Sequence, residues 1–348
     1  MAGTFQRGLS GLSRNTFLLA ASSLFADIST EMLYPVLPVF AAIAKPLMGL
    51  ATIWPALFGA RLLDRFGAGA RSAPRDALIA SSVAEENRGR AFGLEGMGDN
   101  AGAFLGPLLA AFLLYAARVD IRSIFYLAVI PGLLAFVMVL LVSEPRVNVA
   151  AKSKIDTSLR RFPRGYWKYL LAIALFGLGN TSNSFLILRT QDIGASLEQT
   201  ILIYAGFNLV AALISYPAGS FSDRWGRRNV LLMSFGIFLI AYLGFALTEH
   251  VLLIAALFIF YGLYQGIFRA VGKAFAADFV PHELRASGVG WYSTTVGLLQ
   301  LVASVVAGLL WDRVGHVAVF FYGALFATAG GIGLLMLVPA HPANGRSA

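Results

Sequence analysis

Residues 219–228 read Gly-Ser-Phe-Ser-Asp-Arg-Trp-Gly-Arg-Arg, a short basic segment with a long apolar run on each side. The apolar run before it covers 200–219, and the run after it covers 230–247. Each run has roughly the 20 residues that an α-helix needs to cross the hydrocarbon core of a bilayer. The pattern therefore predicts a polytopic membrane protein, and the arginines predict that this turn lies in the cytoplasm.

The composition agrees with a membrane protein. Hydrophobic residues make up 58% of the 348 residues, charged residues make up 13%, and the mean hydropathy is +0.73. A soluble protein of this size would have too little polar surface. The net charge of +9 is spread between apolar segments rather than over one face, which argues against nucleic acid as a partner.

The residues that usually carry enzyme chemistry are scarce in this chain. Cysteine is absent, so there is no disulfide framework, thiol nucleophile or thiolate metal site. The four histidines are far apart and lack metal-ligand spacing, and no phosphate-binding loop or nucleophile elbow stands out. We therefore expect no metal, no cofactor and no enzymatic activity.

Windows of about 20 residues predict an all-α fold with ten membrane crossings. The basic stretches between them fall on one side if both termini are cytoplasmic, which indicates a multi-pass protein with an even number of crossings. The predicted crossings are 15–38, 51–71, 91–115, 122–143, 167–188, 199–219, 229–247, 251–274, 287–310 and 317–339.

The chain divides into two related halves. We predict an N-terminal bundle over 1–143, a basic cytoplasmic linker over 144–166 and a six-helix C-terminal bundle over 167–348. A parallel duplication of this kind is found in one major class of secondary transporters. Five residues recur at an offset of 197: Ala80, Val83, Glu86, Arg88 and Gly93 reappear as Ala277, Val280, Glu283, Arg285 and Gly290.

The first half is shorter than the second. The helices that open the two halves are offset by about 152 residues, whereas later helices are offset by 197. The difference of roughly 45 residues equals two crossings and a turn. The shortage falls between Phe40 and Trp54, and the first half has no copy of segment 219–228.

Three motifs resemble those of the major facilitator superfamily. Segment 219–228 is similar to its signature cytoplasmic loop, Gly102-x-x-x-Gly106-Pro107 resembles the helix-five motif often seen in exporters, and 61–76 is similar to the fourth helix and its exit in a bacterial, drug-efflux-like branch. The resemblance implies two bundles in parallel repeat. It also implies that the second helix and most of the third are missing, which leaves about ten full helices instead of twelve.

Charged residues inside the first crossing are candidates for coupling. Asp27 and Glu31 are four residues apart and share a helix face. An ionised carboxylate is costly in the membrane unless it lines a cavity, pairs with a cation or takes up a proton. The pair is therefore either a proton-coupling or cation-binding site, or a structural pair with Arg61 or Arg65.

The fourth helix carries a second charged group. The predicted depth of Arg61 in the membrane favours a position in the transport pathway. The alternative is that Arg61 supports the cytoplasmic end of the helix. Structural roles at that end are predicted for Asp64, Arg65, Arg71, Arg75 and Asp76.

The second half supplies further polar candidates. Asn180, Asn183 and Phe185 could bind a ligand or tie helices together. Arg269 lies near Tyr261 and Gln265 and could face the cavity or snorkel, whereas Lys273 is expected to snorkel toward the interface.

Segment 219–228 is predicted to be a conformational latch. A plain orientation signal would explain its arginines but would not require glycine and aspartate at this spacing. The predicted gating residues are Gly219, Asp223, Arg224, Gly226, Arg227 and Arg228.

The resemblance implies a secondary active transporter of the bacterial inner (plasma) membrane that works by alternating access. We expect a monomer in the lipid bilayer that exports a small solute as a proton antiporter, with Tyr34, Trp54, Phe185 and Tyr261 shaping the cavity. The missing segment leaves one alternative, a shortened remnant that does not transport and serves at most as a membrane-bound partner.

Overall fold

The computed structural model describes residues 12, 14–31, 75–76, 78–119, 127, 129–141, 162–281 and 284–339. Within these ranges the regular structure is helical and contains no strand. A 3₁₀ turn, Glu85–Asn87, precedes the second helix, and a π-helical turn, Phe112–Ala116, follows it. The α-helices are α1 (Arg14–Glu31), α2 (Arg88–Ala111), α3 (Val129–Leu140), α4 (Arg164–Gly179), α5 (Ser184–Asp192), α6 (Leu197–Trp225), α7 (Arg227–Leu247), α8 (Val251–Asp278), α9 (Arg285–Arg313) and α10 (His316–Leu337).

Seven stretches of the described residues are long and apolar enough to cross a membrane. They coincide with seven of the ten predicted crossings, and α4 and α5 together form one of them. Helices α1 and α3 cover parts of 15–38 and 122–143, while 51–71 lies outside the described residues. The predicted all-α, polytopic class is confirmed.

Segment 219–228 forms a tight junction between two helices. Helix α6 begins with a capping box in which Ser196 and Gln199 satisfy each other's backbone N–H groups. It ends at Gly226, whose φ of +86° is strained for any residue with a Cβ, and α7 begins at the next residue. The glycine thus lets the chain reverse without a loop.

The predicted crossing 167–188 is not one continuous helix. It is interrupted at 180–183, where Asn180 leaves the helical region with φ −83° and ψ 83°. Gly179, Asn180, Thr181 and Ser182 are all weaker helix formers than leucine or alanine, which explains the break. The break leaves backbone polar groups inside a membrane span, where they must find partners.

Aromatic rings fill the core of the second half. Phe176 stacks on Phe235 with ring centroids 4.0 Å apart, and Phe238 stacks on Tyr242 at 3.9 Å. All four side chains are at most 3% exposed. This packing holds α4, α7 and α8 together around one rigid core.

Helix α2 packs against both halves through glycines on two of its faces. A Cβ at Gly102 would lie 2.7 Å from the Cβ of Asp27 on α1, and a Cβ at Gly93 would lie 2.6 Å from the carbonyl oxygen of Ser215 on α6. Gly89 and Gly219 bring α2 and α6 into backbone contact. Small residues allow such close approach between membrane helices.

The halves also meet at the end of the bundle that carries segment 219–228, here called the motif end. Ala80 and Ala277, which are equivalent in the two halves, are both fully buried there in one apolar cluster. The cluster further contains Leu19, Ile79, Val83, Ala91, Phe92, Ala274 and Val289.

Candidate transport and gating site

A buried set of ion pairs joins the two halves, and we call it the interface cluster. Three carboxylates and three cations contribute to it. They come from the segment before α2, from α2 itself and from α8. The members are Arg75, Asp76, Glu95, Asp99, Arg269 and Lys273.

Lys273 lies between two carboxylates of the first half. Its Nζ atom is 3.0 Å from Asp76 Oδ2 and 3.2 Å from Glu95 Oε1. The carboxylate side chains are only 2% and 1% exposed. Buried charges of this kind are stable only when they are paired, so these contacts hold α8 against the first half.

Arg75 binds the same carboxylates from the other side. Its guanidinium contacts Glu95, lies 3.3 Å from Asp76 Oδ1 and lies 3.5 Å from Asp99 Oδ1. It also donates a hydrogen bond of 2.5 Å to Ser23 Oγ on α1. Asp27 is half-buried on α1 and within electrostatic reach of Arg75. The cluster therefore connects α1, α2 and α8.

The outer member of the cluster is Arg269. Its side chain is 44% exposed and lies 3.6 Å from Asp99 Oδ2. Asp99 itself is 15% exposed. Exposure thus falls from Arg269 through Asp99 to Glu95, so Glu95 lies at the inner end of the cluster.

The cluster corrects one sequence-based prediction and extends another. The prediction that Lys273 snorkels toward the interface is wrong, because its ammonium group is held between buried carboxylates. Asp76, expected to support only a helix end, contacts Lys273 of the other half, and Arg75 binds the first-half carboxylates around it. Sequence reasoning missed Glu95 and Asp99, although two carboxylates four residues apart inside a predicted crossing were a usable signal.

A second set of ion pairs lies at the motif end, and we call it the latch cluster. Asp223 on α6 accepts hydrogen bonds from the backbone N–H groups of Gly89 and Arg90, at 2.9 and 3.1 Å. These groups belong to the first turn of α2, where an anion also interacts favourably with the helix dipole. A residue of the second half therefore caps a helix of the first half.

Arg227 and Asp278 complete the latch cluster. Arg227 lies 3.1 Å from Asp223 and 2.7 Å from Asp278, and it donates to the carbonyl oxygen of Glu85 at 2.7 Å. Arg88 lies 2.8 Å from the other oxygen of Asp278. Asp278 thus bridges an arginine from each half.

The remaining predicted gating residues occupy distinct positions. Gly219 provides the backbone contact with Gly89, and Gly226 forms the junction of α6 and α7. Arg228 donates to the carbonyl oxygens of Leu334 and Leu335 at the end of α10, whereas Arg224 is exposed. The segment therefore brings Asp223 and Arg227, but not every arginine, to the contact between the halves.

The interruption between α4 and α5 collects the polar candidates of the second half. The Tyr261 hydroxyl donates to Asn183 Oδ1 at 2.8 Å, and its ring is 1% exposed. Asn180 is buried nearby at the end of α4. Phe185 lies 5.9 Å from the ring of Trp311, and Gln265 is half-buried on α8. The Tyr261 hydroxyl therefore ties α8 to the interruption between α4 and α5.

One more predicted site residue ends a described helix, and six others lie outside the described residues. Glu31 is the last residue of α1. Outside the described residues lie Tyr34, Trp54, Arg61, Asp64, Arg65 and Arg71.

Fold and site together define a polytopic helical membrane protein whose two related halves meet through buried ion pairs. The sequence profile of the Major Facilitator Superfamily matches the chain twice, over residues 9–188 and 169–348. The chain therefore belongs to the Major Facilitator Superfamily, a family of membrane transporters rather than enzymes.

Two relatives illustrate the similarity in sequence. An uncharacterized MFS-type transporter of Methanocaldococcus jannaschii is 28% identical over 381 aligned positions, which cover 94% of this chain and 95% of the relative. The tetracenomycin C resistance and export protein of Streptomyces glaucescens is 30% identical over 190 positions, covering 50% of this chain and 34% of that protein.

Two solved structures share the fold at 15% sequence identity. The human organic anion transporter MFSD10 matches with a TM-score of 0.68, over 92% of this chain and 82% of that one. The Escherichia coli fucose:proton symporter matches with a TM-score of 0.64, over 94% of this chain and 85% of that one.

Proposed function

We propose that this protein is a secondary active transporter that exports a small solute by alternating access in exchange for protons. The observation that carries the proposal is the interface cluster, because buried charges paired between two halves are costly to maintain without a function. The latch cluster supports it, since its contacts between the halves must break whenever the motif end opens.

The proposed substrate class is drug-like or amphipathic. The export protein of Streptomyces glaucescens supports this class, as does the glycine-proline motif at Gly106 and Pro107. A thermal-shift screen of the purified protein against drugs, sugars and organic acids identifies the class directly, because a ligand that binds only the folded state raises the melting temperature.

We expect Asp27→Asn to lower proton-dependent flux at least tenfold. Asp27 lies on the face of α1 that packs against α2 and is within reach of Arg75, so loss of its charge removes a proton-binding group beside the cluster. Flux of ethidium, or of the ligand found by the screen, is measured in everted membrane vesicles with an imposed pH gradient.

The matched control is Glu249→Gln, which removes an exposed carboxylate from the junction between α7 and α8. Its flux should equal that of the parent protein. Unchanged proton-dependent flux in Asp27→Asn would remove Asp27 from the proposed coupling route.

A second candidate function is the shortened, non-transporting remnant, and the packing of α9 favours it. In the most apolar stretch of α9 only 11% of residues are buried, against 39–50% in the other six spans. Gly290 is the repeat equivalent of Gly93, yet no described atom lies within 4 Å of a Cβ built on it, while Gly93 touches α6. The equivalent of α6 in the first half is the segment predicted to be missing.

The length of the aligned relatives supports the same shortening. The alignment with the Methanocaldococcus jannaschii relative runs over 381 positions, more than the 348 residues of this chain. Some of its positions therefore have no counterpart here.

Insertion of a two-helix segment after Phe40 separates the two candidates. If the chain is a remnant, transport of the ligand found by the screen should appear only in the repaired protein. If the unmodified chain already transports the ligand, the repair should change the rate of transport, and transport should be present with or without the inserted helices. An insertion of equal length between Thr248 and His250 serves as the control, because that junction connects two helices that already pack together.

A further inference from the structure

We infer that Glu95 is the proton acceptor that controls separation of the two halves, and that it acts through Lys273. The inference rests on the proposed proton-coupled transport, but it concerns a residue and a contact that the sequence did not single out. Its first support is that Glu95 contacts Arg75 from its own half and Lys273 from the other half.

The position of Lys273 in the repeat supports this role. Asp76 and Lys273 are separated by 197 residues, which is the offset of the repeat, so they occupy equivalent positions in the two halves. Equivalent residues meet where the halves are related by symmetry. Here they carry opposite charges and lie 3.0 Å apart. The direct contact between the halves at this point is therefore electrostatic, and its strength depends on the charges around it.

The second half repeats neither Glu95 nor its partner Arg75 as a charged residue. The equivalents of Arg75 and Glu95 are Gly272 and Tyr292. The hydroxyl of Tyr292 reaches the place where a Cβ of Gly272 would lie, and the hydroxyl of Tyr169 donates to the Gly272 carbonyl at 2.9 Å. The first half thus has a charged pair where the second half has neutral groups.

Protonation of Glu95 would remove the attraction that holds Lys273. A proton from water converts the Glu95 carboxylate into a neutral carboxyl group, and no bond between heavy atoms changes. Lys273 is then left with one ion-pair partner, Asp76, which it shares with Arg75. Asp99 contacts Arg75 but not Lys273 at ion-pair distance. The loss of a buried counter-charge beside Lys273 is unfavourable, and hydration by opening of the interface relieves it.

The surroundings of Glu95 define both its partners and its access to protons. Exposure falls from 44% at Arg269 to 15% at Asp99 and 1% at Glu95, which places Glu95 at the inner end of the cluster, with Asp99 and Arg269 between it and the exposed side. The titratable and charged groups that face the cluster are Asp27 on α1, Arg75 and Asp76 before α2, Asp99 on α2, Arg269 and Lys273 on α8, and Tyr292 on α9.

The absence of native cysteine allows a test that needs no substrate. Ala277→Cys places a thiol in the fully buried apolar cluster where the halves meet at the motif end. Its labelling rate by a maleimide, in lipid nanodiscs that expose both faces, reports opening of that end. Rates at pH 5.5 and pH 8.5 are divided by those of Ser81→Cys, whose side chain is exposed in the same region.

We expect the normalised rate of Ala277→Cys to be at least fivefold higher at the lower pH. Adding Glu95→Gln should make the rate high at both pH values, because glutamine imitates the protonated acid. Adding Glu95→Asp instead should restore the pH dependence. A structural defect would not produce this split between the two substitutions.

The control for misfolding is Ala241→Cys, a fully buried position inside the second half. It should stay unlabelled in the Glu95→Gln background. Labelling of Ala277→Cys that is independent of pH, or that keeps its pH dependence in Glu95→Gln, would overturn the inference. The proposed function is tested separately, because it fails only if the parent protein shows no proton-linked flux.

Discussion

Asp223→Asn is expected to open the motif end and to abolish efficient transport. The substitution keeps the size of the side chain but removes the charge that caps α2 and pairs with Arg227. Breaking one side of a buried ion pair costs about 3–5 kcal/mol. Since about 1.4 kcal/mol corresponds to a factor of ten, the ratio of closed to open protein should fall by roughly a hundredfold to a few thousandfold.

The measurement is the labelling rate of Ala277→Cys, compared with flux of the identified ligand. Labelling should rise at least tenfold and flux should fall at least tenfold. Glu198→Gln is the matched control, because it removes an exposed carboxylate from the first turn of the same helix, α6. A normal flux with a protected cysteine in Asp223→Asn would show that the segment only orients the chain in the membrane.

Gly93→Leu is expected to be severely damaging, whereas the equivalent Gly290→Leu should be tolerated. A Cβ at Gly93 would already lie 2.6 Å from the backbone oxygen of Ser215, so α2 and α6 must separate to admit a larger side chain. Overpacking of this kind typically costs about 1–3 kcal/mol, and more when backbone must move. Gly290 meets no described atom within 4 Å, so leucine there finds space.

Thermal unfolding of the two purified variants is the direct comparison. Gly93→Leu should lower the melting temperature by several degrees and expose Ala277→Cys, while Gly290→Leu should match the parent protein within error. In the chain repaired after Phe40, Gly290→Leu should become damaging, because the inserted helices would then cover α9. Equal effects of both substitutions in the unmodified chain would contradict the difference seen between the two helix faces.

The membrane class and most of the span positions could be predicted because they depend on local composition. A stretch of about 20 apolar residues is long enough to cross hydrocarbon whatever its neighbours are. The interruption of the crossing 167–188 was missed, although Gly179, Asn180, Thr181 and Ser182 are a local signal for it. Helix termination within an apolar run depends on whether the freed polar groups find partners, and here Thr181 bonds Tyr242 at 2.9 Å.

The candidate site was predictable only in part. The cost of burying charge drew attention to ionisable residues in predicted crossings, and one of them, Arg269, lies in the interface cluster. It could not decide between snorkelling and pairing for Lys273, because that depends on which carboxylates lie opposite the side chain. Glu95 lies 178 residues away in the chain, so its distance from Lys273 is a property of the folded bundle alone.

The sequence by itself determined that this chain spans a membrane with helices, that its halves are related, and that segment 219–228 is a tight basic junction. Those features follow from hydropathy, repeat spacing and a glycine at a turn, all of which act locally. Only the tertiary structure decided that Asp223 caps a helix 134 residues earlier and that Lys273 joins the two halves through Asp76 and Glu95. The physical reason is that a buried charge is stabilised by whichever opposite charge lies within a few ångströms, and the fold alone sets that distance.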